Sequence, residues 1–319
     1  MNIAVLVNAG AGSIGRERGE ARRDEILAAC DAVGVEARVW LCEPAQLADH
    51  ARTLARAGQH DAVVAAGGDG TVSTLAGALA GTPMPLAVIP LGTLNHFAKD
   101  LGIPVDDITA AIRAIAAQHT RHVDVAELNG RVFINNSSIG LYPEVVLRRD
   151  VDRKQTGRGK WGAMLRAAVR VLRLFPLLEV AIVTGDRLVV TRTPFVFVGN
   201  NRYSLDLGAL GERPALDRGQ LSLVLVRSTS RLHMLWTMLR AIVQRASAVD
   251  DLEAHDLTET RVVTRRRVVR VALDGEVALM RPPLRYRTRP AALRVLAPPP
   301  VAATQPVQAP GDTPTRSAG

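Results

Sequence analysis

The sequence predicts an α/β N-terminal domain with an open, mostly parallel sheet, followed by a mainly antiparallel, β-sandwich-like C-terminal domain. Short apolar runs alternate with amphipathic helical segments over the first 120 residues, a pattern typical of parallel strands with helices on both faces. After residue 120 the strands alternate polar and apolar residues and are joined by hairpin signals. The 319 residues suffice for two domains, each with its own core.

The N-terminal half contains predicted strands that are short apolar runs bounded by turn residues. They cover residues 2–7, 35–41, 61–66 and 86–89. Helices are predicted over residues 16–33, 45–57, about 71–79, from 94 onward, and 105–117. Pro44 suits the first turn of the second helix, and Asp106 and Asp107 are placed in the first turn of the last one, where the helix dipole favours acidic groups.

The C-terminal half contains predicted hairpins at Asn129-Gly130 and Gly185-Asp186, two strong turn signals. Further strands are predicted within residues 192–203, 219–227, 260–280 and 284–296, and helices at about 158–175 and 231–247. We therefore divide the chain into domains at 1–125 and 126–297. Residues 298–319 are rich in proline with little to bury, which predicts a disordered tail.

The net charge of +9 is unevenly distributed. Residues 1–125 hold 10 basic and 14 acidic residues, a net charge of −4, whereas residues 126–297 hold 29 basic and 16 acidic residues, a net charge of +13. A basic half favours an anionic partner, although an arginine-rich composition explains the total charge equally well. Single-stranded nucleic acids need aromatic stacking platforms, and three Trp, three Tyr and five Phe argue against such a partner.

The location of the protein follows from its cysteines and its apolar runs. Cys30 and Cys42 are the only cysteines and form no CxxC pair, which predicts unpaired thiols in a reducing compartment. The N-terminus lacks the features of a signal peptide, and no uncharged apolar run reaches the roughly 18 residues of a spanning helix. We therefore expect a cytoplasmic protein, either soluble or peripheral on the inner face of the membrane.

Three glycine-rich turns each follow a strand of the N-terminal half. They cover residues 8–12 (NAGAG), 67–71 (GGDGT) and 90–95 (PLGTLN). Ligands of open α/β sheets bind beyond the carboxyl ends of the strands, and glycines there let backbone N–H groups approach a phosphate. The fingerprints GxGxxG and GxxxxGK[ST] are absent, so neither a standard dinucleotide fold nor a Walker P-loop is predicted.

Asp69 lies among the glycines of the second turn. A carboxylate would repel a phosphate there unless a divalent cation, a hydroxyl or a ribose lies between them. The alternative is that Asp69 caps the helix that follows.

Taken together, these motifs resemble those of a known family. GGDGT at 67–71 and PLGTLNHFAKDLGIP at 90–104 are similar to the catalytic domain of the diacylglycerol kinase family, which includes sphingosine and ceramide kinases; NAGAG resembles its first nucleotide loop and LDGE at 273–276 its C-terminal element. The resemblance extends over residues 1–297. It implies ATP- and Mg²⁺-dependent phosphorylation of a lipid hydroxyl, with diacylglycerol converted to phosphatidic acid as the leading case. It further implies a nucleotide-binding first domain, a lipid-substrate second domain, and final strands that return beside the first.

The resemblance also implies residue roles. It places Asn8, Gly10 and Gly12 near the nucleotide, Gly67, Gly68, Asp69, Gly70 and Thr71 around the phosphates, and Thr93 against the nucleotide from the third loop. Asp69 would help to place the metal-bound phosphates. Glu276, or alternatively Asp274, would accept the proton of the lipid hydroxyl. Asp274-Gly275 is also a hairpin turn signal.

The chain departs from the family pattern in three places. His96 stands where many members have Asp, Ser73-Thr74 stand where Asn-Glu is frequent, and LDRGQLS at 216–222 replaces a DDGxLD-like segment that binds a structural Mg²⁺. Asp217 alone is a weak candidate ligand for that ion. We therefore expect the structural Mg²⁺ to be lacking, with His96 and Arg218 in place of the lost charge.

Two basic amphipathic segments, 157–175 and 231–247, are candidates for membrane contact. Trp161, Arg166, Arg170 and Trp236 are the residues expected at the lipid surface. The alternative is that both segments are helices covering the β-rich domain. The expected partners are thus a lipid substrate and an anionic membrane surface, and an unpaired sheet edge would favour a homodimer.

Two other functions stay open. NAD kinase and 6-phosphofructokinase share GGDG-type turns, and a nucleotide- or lipid-binding regulator that has lost catalysis would explain the altered metal segment. PLGTLNHFA and the basic segments favour the lipid branch. The presence of Asp69, Asp274 and Glu276 favours a catalyst over a regulator.

Overall fold

The computed structural model describes residues 1–9, 16–140, 178–185, 187–204, 213–226 and 252–299. Its N-terminal part alternates strands with helices. The strands are β1 (Asn2–Asn8), β2 (Glu36–Cys42), β3 (Ala62–Gly67) and β4 (Leu86–Pro90). The helices are α1 (Arg16–Val33), α2 (Leu47–Ala57, after a 3₁₀ turn at Pro44–Gln46), α3 (Asp69–Leu79), α4 (His96–Asp100) and α5 (Ile108–Ala116).

The rest of the described chain consists of strands. They are β5 (Thr120–Leu128), β6 (Arg131–Phe133), β7 (Asn136–Gly140), β8 (Leu178–Thr184), β9 (Arg187–Thr193), β10 (Phe195–Asn200), β11 (Leu221–Val226), β12 (Leu252–Leu257), β13 (Glu259–Thr264), β14 (Val269–Leu273), β15 (Glu276–Met280) and β16 (Leu284–Leu296). Strand β12 was not predicted from the sequence.

These strands form two sheets. The long sheet has the order β2-β1-β3-β4-β16-β13-β8-β9, with β5 paired to β16 and to β6. Its strands β1 to β4 are parallel, and most of the others pair antiparallel. The short sheet is antiparallel, in the order β12-β11-β10-β7-β14-β15. The predicted fold class is confirmed.

The surroundings of the long sheet change along its width. Around β1, β3 and β4 both faces are covered by helices: one buried cluster, including Leu75 of α3, lies under α2, α3 and α4, and another, including Ile26 of α1, lies under α1 and α5. Beyond β4, one face of the long sheet packs against the short sheet in a sandwich whose core includes Tyr286 and Val262. Residues of both parts of the protein line one cavity along α3, with Ser73 and Gly77 on one side and Leu273 and Glu276 on the other.

Helix α5 corrects one prediction. The sequence was expected to place Asp106 and Asp107 inside the first helical turn, but the helix begins at Ile108. Asp107 has extended backbone angles, and its carboxylate accepts a hydrogen bond from the Ala110 N–H over 2.9 Å. Because this is N-cap geometry, the aspartate lies before the helix rather than within it.

Several predictions fall outside the described residues. They concern the helices at about 158–175 and 231–247 and, apart from residues 298–299, the predicted tail. Among the helices of the described ranges, none combines the length and the apolar character needed to cross a bilayer.

Both cysteines are unpaired and buried. Burial raises the pKa of Cys30 from 9.0 to about 11, and Asp31 acts in the same direction.

Because the fold favours the neutral thiol of Cys30, the contribution of this thiol to stability is complete below pH 9 and is lost as the pH rises towards 11. We expect the free energy of unfolding of the wild type to fall by roughly 2–3 kcal/mol more than that of Cys30→Ala over this interval. Urea titrations at both ends of the interval measure it, and equal losses would contradict the assignment.

Candidate active site

The glycine-rich loops meet at the carboxyl ends of β1, β3 and β4. The Asn8 side-chain amide donates a hydrogen bond to Thr71 Oγ1 over 3.1 Å, which joins the first loop to the second. The Leu91 N–H donates to the Gly67 carbonyl over 2.9 Å, which joins the third loop to the second. Asn8, the second loop and the third loop therefore form one continuous rim.

Two glycines of this rim are required by the contact between the loops themselves. A Cβ placed on Gly92 would lie 2.6 Å from Gly68 Cα and 2.8 Å from Asn95 Oδ1. Asn95 is buried in a left-handed conformation, accepts from the Gly92 N–H over 3.0 Å and donates to the Gly92 carbonyl over 2.8 Å. The glycine pattern thus has a packing function in addition to any contact with a ligand.

We expect Gly92→Ala to lower the free energy of unfolding by about 1–3 kcal/mol, because the added methyl group collides with backbone that has no room to move. Gly77→Ala is the matched control: it lies in the last turn of α3, and its Cβ would lie 3.7 Å from Val132 Cβ, an ordinary contact. That substitution should be neutral or stabilising by up to about 1 kcal/mol. Chemical denaturation of both variants checks the prediction, and equal stabilities would contradict it.

An open cavity of about 420 Å³ lies beside the rim, and we call it the loop cavity. It is lined by Asn8, Pro44, Ala45, Leu47, Gly68, Gly70, Thr71, Thr74 and Glu276. Helix α3 begins here, directly after its N-cap residue Gly68, which has no side chain to cap it. The N–H groups of the first turn and the positive end of the helix dipole therefore face this region. Asp69 is half-buried as the first residue of α3, so the alternative that it caps this helix is wrong.

Glu276 lies at the junction of two cavities. It also lines a second cavity of about 320 Å³, the hairpin cavity, together with Arg52, Gly70, Ser73, Thr74, Gly77, Gly130, Arg131, Val132, Leu273 and Asp274. A Cβ on Gly70 would lie 3.4 Å from Glu276 Oε1, which puts this carboxylate against the first turn of α3. Glu276 is exposed, and its carboxylate makes no hydrogen bond or ion pair with the described residues.

Asp274, two residues earlier, is half-buried, and both oxygens of its carboxylate are hydrogen-bonded. Its Oδ1 accepts from the N–H groups of Asn135 (2.8 Å) and Asn136 (3.0 Å). Its Oδ2 accepts from the Ile134 N–H (2.9 Å) and the Ser73 hydroxyl (2.5 Å). Burial raises the pKa of the Asp274 carboxyl, while these four hydrogen bonds act in the opposite direction. Asp274 therefore ties α3 to the connection between β6 and β7.

The backbone of Asp274 also turns the chain towards Glu276. Asp274 and Gly275 have φ angles of 47° and 88° and form the two-residue turn between β14 and β15. Both residues lie in the left-handed region that such turns require, as the Asp-Gly signal indicated. The hydrogen-bonded carboxylate fixes this turn in place, and Glu276 follows it directly at the start of β15.

Arg213 is a buried cation that the sequence analysis missed. Its Nε and Nη2 donate to Asp100 Oδ2 over 2.9 and 2.6 Å. Its Nη1 donates to the carbonyls of Ile134 (2.5 Å) and Asn200 (3.2 Å), and its Nη2 donates to Asn135 Oδ1 over 2.8 Å. Burial raises the pKa of Asp100, and Arg213 opposes that rise. Nothing in the spacing around Arg213 distinguishes it from a surface arginine.

Arg213 and Asp274 bind the same short segment from opposite sides. Residues 134–136 present the carbonyl of Ile134 and the side chain of Asn135 to Arg213, and three backbone N–H groups to Asp274. We call this segment and its two charged partners the clamp. It links Asp100, next to the third glycine loop, with the hairpin turn that carries Glu276.

The residues proposed for a structural metal do not converge. Asp217 is exposed, and within the described ranges no group of three or more His, Cys, Asp or Glu side chains could share an ion. Asp124, buried nearby, accepts from the N–H groups of Gly219 (2.6 Å) and Ala291 (2.8 Å), so both of its oxygens are used. Segment 216–222 therefore offers a cation one exposed carboxylate, which does not fit tight Mg²⁺ binding.

The remaining predicted residues lie apart from the two cavities or beyond the described ranges. Thr93, His96 and Arg218 are exposed, and the cation buried against Asp100 is Arg213 rather than Arg218. Gly10, Gly12, Trp161, Arg166, Arg170 and Trp236 lie outside the described residues.

The fold and the site define a class of proteins in which a glycine-loop α/β domain and a β-sandwich share one cleft. Residues 2–128 match the model of the diacylglycerol kinase catalytic domain. This match confirms the resemblance that the motifs carry.

Two curated relatives match part of the chain. The chain is 35% identical over 135 residues to a diacylglycerol kinase of Bacillus subtilis strain 168, covering 41% of this chain and 44% of that protein. It is 40% identical over 89 residues to a diacylglycerol kinase of Staphylococcus epidermidis strain ATCC 12228, covering 27% of this chain and 28% of that protein. The match thus spans less than half the length of each relative.

The structural likeness covers more of the chain. A diacylglycerol kinase crystal structure from Bacillus anthracis strain Sterne superposes with a TM-score of 0.64 at 20% identity, covering 93% of this chain and 97% of that one. Another crystal structure from the same organism gives 0.67 at 23% identity with the same coverage. At these identities the likeness establishes the fold.

Proposed function

We propose that this chain is an ATP-dependent lipid kinase that phosphorylates a lipid hydroxyl, with diacylglycerol as the acceptor. The observation that carries the proposal is the position of Glu276, an unpaired carboxylate at the junction of the loop cavity and the hairpin cavity. A phosphoryl donor on one side and a hydroxyl acceptor on the other would meet at this group. The curated relatives that match part of the chain carry the name of the same activity.

The loop cavity fits the phosphates of a nucleotide. Gly68 and Gly70 place no side chain between the backbone and the cavity, and the first turn of α3 offers N–H groups and the positive end of a helix dipole. Asp69 does not line the loop cavity, but it lies between Gly68 and Gly70, which do, and its carboxylate is of the kind that Mg²⁺ prefers in nucleotide sites. Mg²⁺, when bound, neutralises charge on the transferring phosphoryl group.

The hairpin cavity fits the acceptor. In this proposal Glu276 accepts the proton of the lipid hydroxyl as its oxygen attacks the terminal phosphate, and the bond from that phosphate to the bridging oxygen of the nucleotide breaks. Asp274 is unsuited to this role because four donors already occupy its two oxygens. It instead holds the turn from which Glu276 projects.

The test is a phosphorylation assay with the full chain, labelled ATP and Mg²⁺. Mixed micelles containing diacylglycerol and a solution of NAD are the two acceptors, and mass spectrometry identifies the product. Label in phosphatidic acid supports the proposal. Label on NAD would assign the chain to the NAD kinase branch, and label on neither acceptor would favour a non-catalytic regulator; either result overturns the proposal.

A further inference from the structure

One face of the long sheet is covered by helices at β1, β3 and β4 but by no described helix at β13, β8 and β9. Val123 and Val125 of β5 pack into the cluster beneath α3. Glu127 lies on the same side of β5, because side chains alternate along a strand, and it binds Arg287 of β16 over 2.8 Å in an exposed ion pair. Beyond this pair no described helix lies over that side of β16, β13, β8 and β9. We call it the open face.

The outer part of the open face is apolar. On the edge strand β9, Leu188 and Val190 point to this side and are 64% and 70% exposed. Val183 and Ala181 of β8 are their cross-strand neighbours, and Val263 of β13 is the next neighbour, 36% exposed. Single exposed apolar side chains are ordinary, but a contiguous set on three adjacent strands indicates an interaction surface.

The inner part of the open face is net positive, with Arg261, Arg285 and Arg287 against the carboxylates Glu127 and Glu259. Arg261 of β13 and Arg285 of β16 are direct cross-strand neighbours, and neither forms an ion pair with a described residue. Like charges in this position repel one another, so an anion lying across both would relieve the repulsion. Arg192 and Arg265 share a single carboxylate, that of Glu179, at the other end of the face.

The open face reaches the site of the proposed chemistry. A surface cavity of about 510 Å³ lies between Val183, Arg261, Arg285 and the turn residue Gly130. Gly130 also lines the hairpin cavity, which contains Glu276. The β5–β6 turn residue Gly130 therefore borders both the cavity at the arginines and the cavity that contains Glu276.

We propose that the open face is the surface on which this protein docks to an anionic lipid bilayer. Leu188 and Val190 enter the interface between headgroups and acyl chains, and Arg261 and Arg285 bind lipid phosphates. The inference adds a docking surface to the proposed function. It rests on that function in one respect, since a lipid kinase finds its acceptor in a bilayer. The net positive charge of this face favours an anionic surface over a second copy of the chain, which would carry the same net charge.

The experiment measures binding of the full chain to vesicles without nucleotide. Vesicles of phosphatidylcholine, with and without phosphatidylglycerol, are sedimented with wild type, with the pair Leu188→Thr/Val190→Thr and with the pair Arg261→Gln/Arg285→Gln. Threonine keeps the strand preference while removing apolar surface. The matched controls are Leu279→Thr, where the side chain is 72% exposed on β15, and Arg113→Gln on α5, which covers the opposite face.

We expect wild type to bind the anionic vesicles and binding to fall with salt. Loss of the arginines should weaken it about fivefold for each charge removed, the threonine pair should weaken it with little change in salt dependence, and both controls should bind as wild type. Failure of wild type to bind, or equal binding by all variants, overturns the inference.

This outcome is separable from that of the proposed function. Phosphorylation of a short-chain, water-soluble diacylglycerol reports the chemistry without a bilayer, and both pairs of variants should keep the wild-type rate in that assay. A chain that phosphorylates the soluble substrate but shows no effect of the variants on vesicle binding refutes the surface alone. If the variants lose vesicle binding as expected but the wild type phosphorylates neither the soluble nor the micellar diacylglycerol, only the proposed function is refuted.

Discussion

Glu276→Gln is expected to abolish turnover while leaving nucleotide binding largely intact. The amide keeps the shape of the side chain but cannot accept the hydroxyl proton, and loss of a positioned base slows a reaction by about 10²–10⁴-fold. Glu276 is exposed and unpaired with the described residues, so its replacement should not disturb the fold. Steady-state phosphorylation, together with calorimetric titration of a non-hydrolysable ATP analogue, separates chemistry from binding.

Two control variants give this result its meaning. Glu36→Gln makes the same chemical change at an exposed position on β2, far from the cleft, and should keep full activity. Asp274→Asn replaces a carboxylate that accepts four hydrogen bonds, so it should lower the free energy of unfolding as well as turnover. If Glu276→Gln kept its activity while a stably folded Asp274→Asn lost it, the base would be Asp274.

Arg213→Met should destabilise the protein by about 3–5 kcal/mol. It removes one partner of a buried ion pair, which leaves the Asp100 carboxylate uncompensated. The carbonyls of Ile134 and Asn200 each lose one donor, although the Ile134 carbonyl keeps its hydrogen bond from Asn200 Nδ2. The clamp would also lose its hold on residues 134–136, so turnover should fall even in the fraction that stays folded. Urea unfolding followed by circular dichroism gives the first quantity, and activity well below the denaturation midpoint gives the second.

The double variant Arg213→Met/Asp100→Asn tests whether the two charges act together. Because the neutral amide at position 100 would leave no buried charge behind, the double variant should be more stable than the sum of the two single losses implies. Strictly additive losses would mean that Arg213 and Asp100 stabilise the fold independently. In that case the clamp would not be a unit.

Local patterns in the chain were sufficient to predict most of the described elements of the fold. The apolar runs of β1 and β3 and the turn pairs Asn129-Gly130 and Asp274-Gly275 carry their structure in a few adjacent residues, so their prediction needs no knowledge of distant segments. Strand β12, LEAHDL, lacks a clear alternation and was missed. The order of strands in the long sheet is likewise hidden, since pairing depends on which edges meet in three dimensions.

In the site, too, local motifs were predictable from the sequence and long-range contacts were not. The glycine loops and the acidic pair at 274 and 276 are visible as motifs, but their spacing alone leaves open which carboxylate is the base. That question depends on four hydrogen bonds from residues more than a hundred positions away. Arg213 and Asp100 are likewise 113 positions apart. A buried arginine and a surface arginine look alike in sequence, because only packing determines which of them loses its water.

Strand β16 has a consequence for how the protein is made. This last strand lies between β4 and β13, so a sheet that begins with residue 2 receives one of its central members from residues 284–296. While the chain is being synthesised, the edge of β4 stays open until almost the whole sequence has left the ribosome. An unpaired apolar edge is a site of misassociation. A chain cut short before residue 284 should therefore aggregate rather than yield a folded N-terminal half.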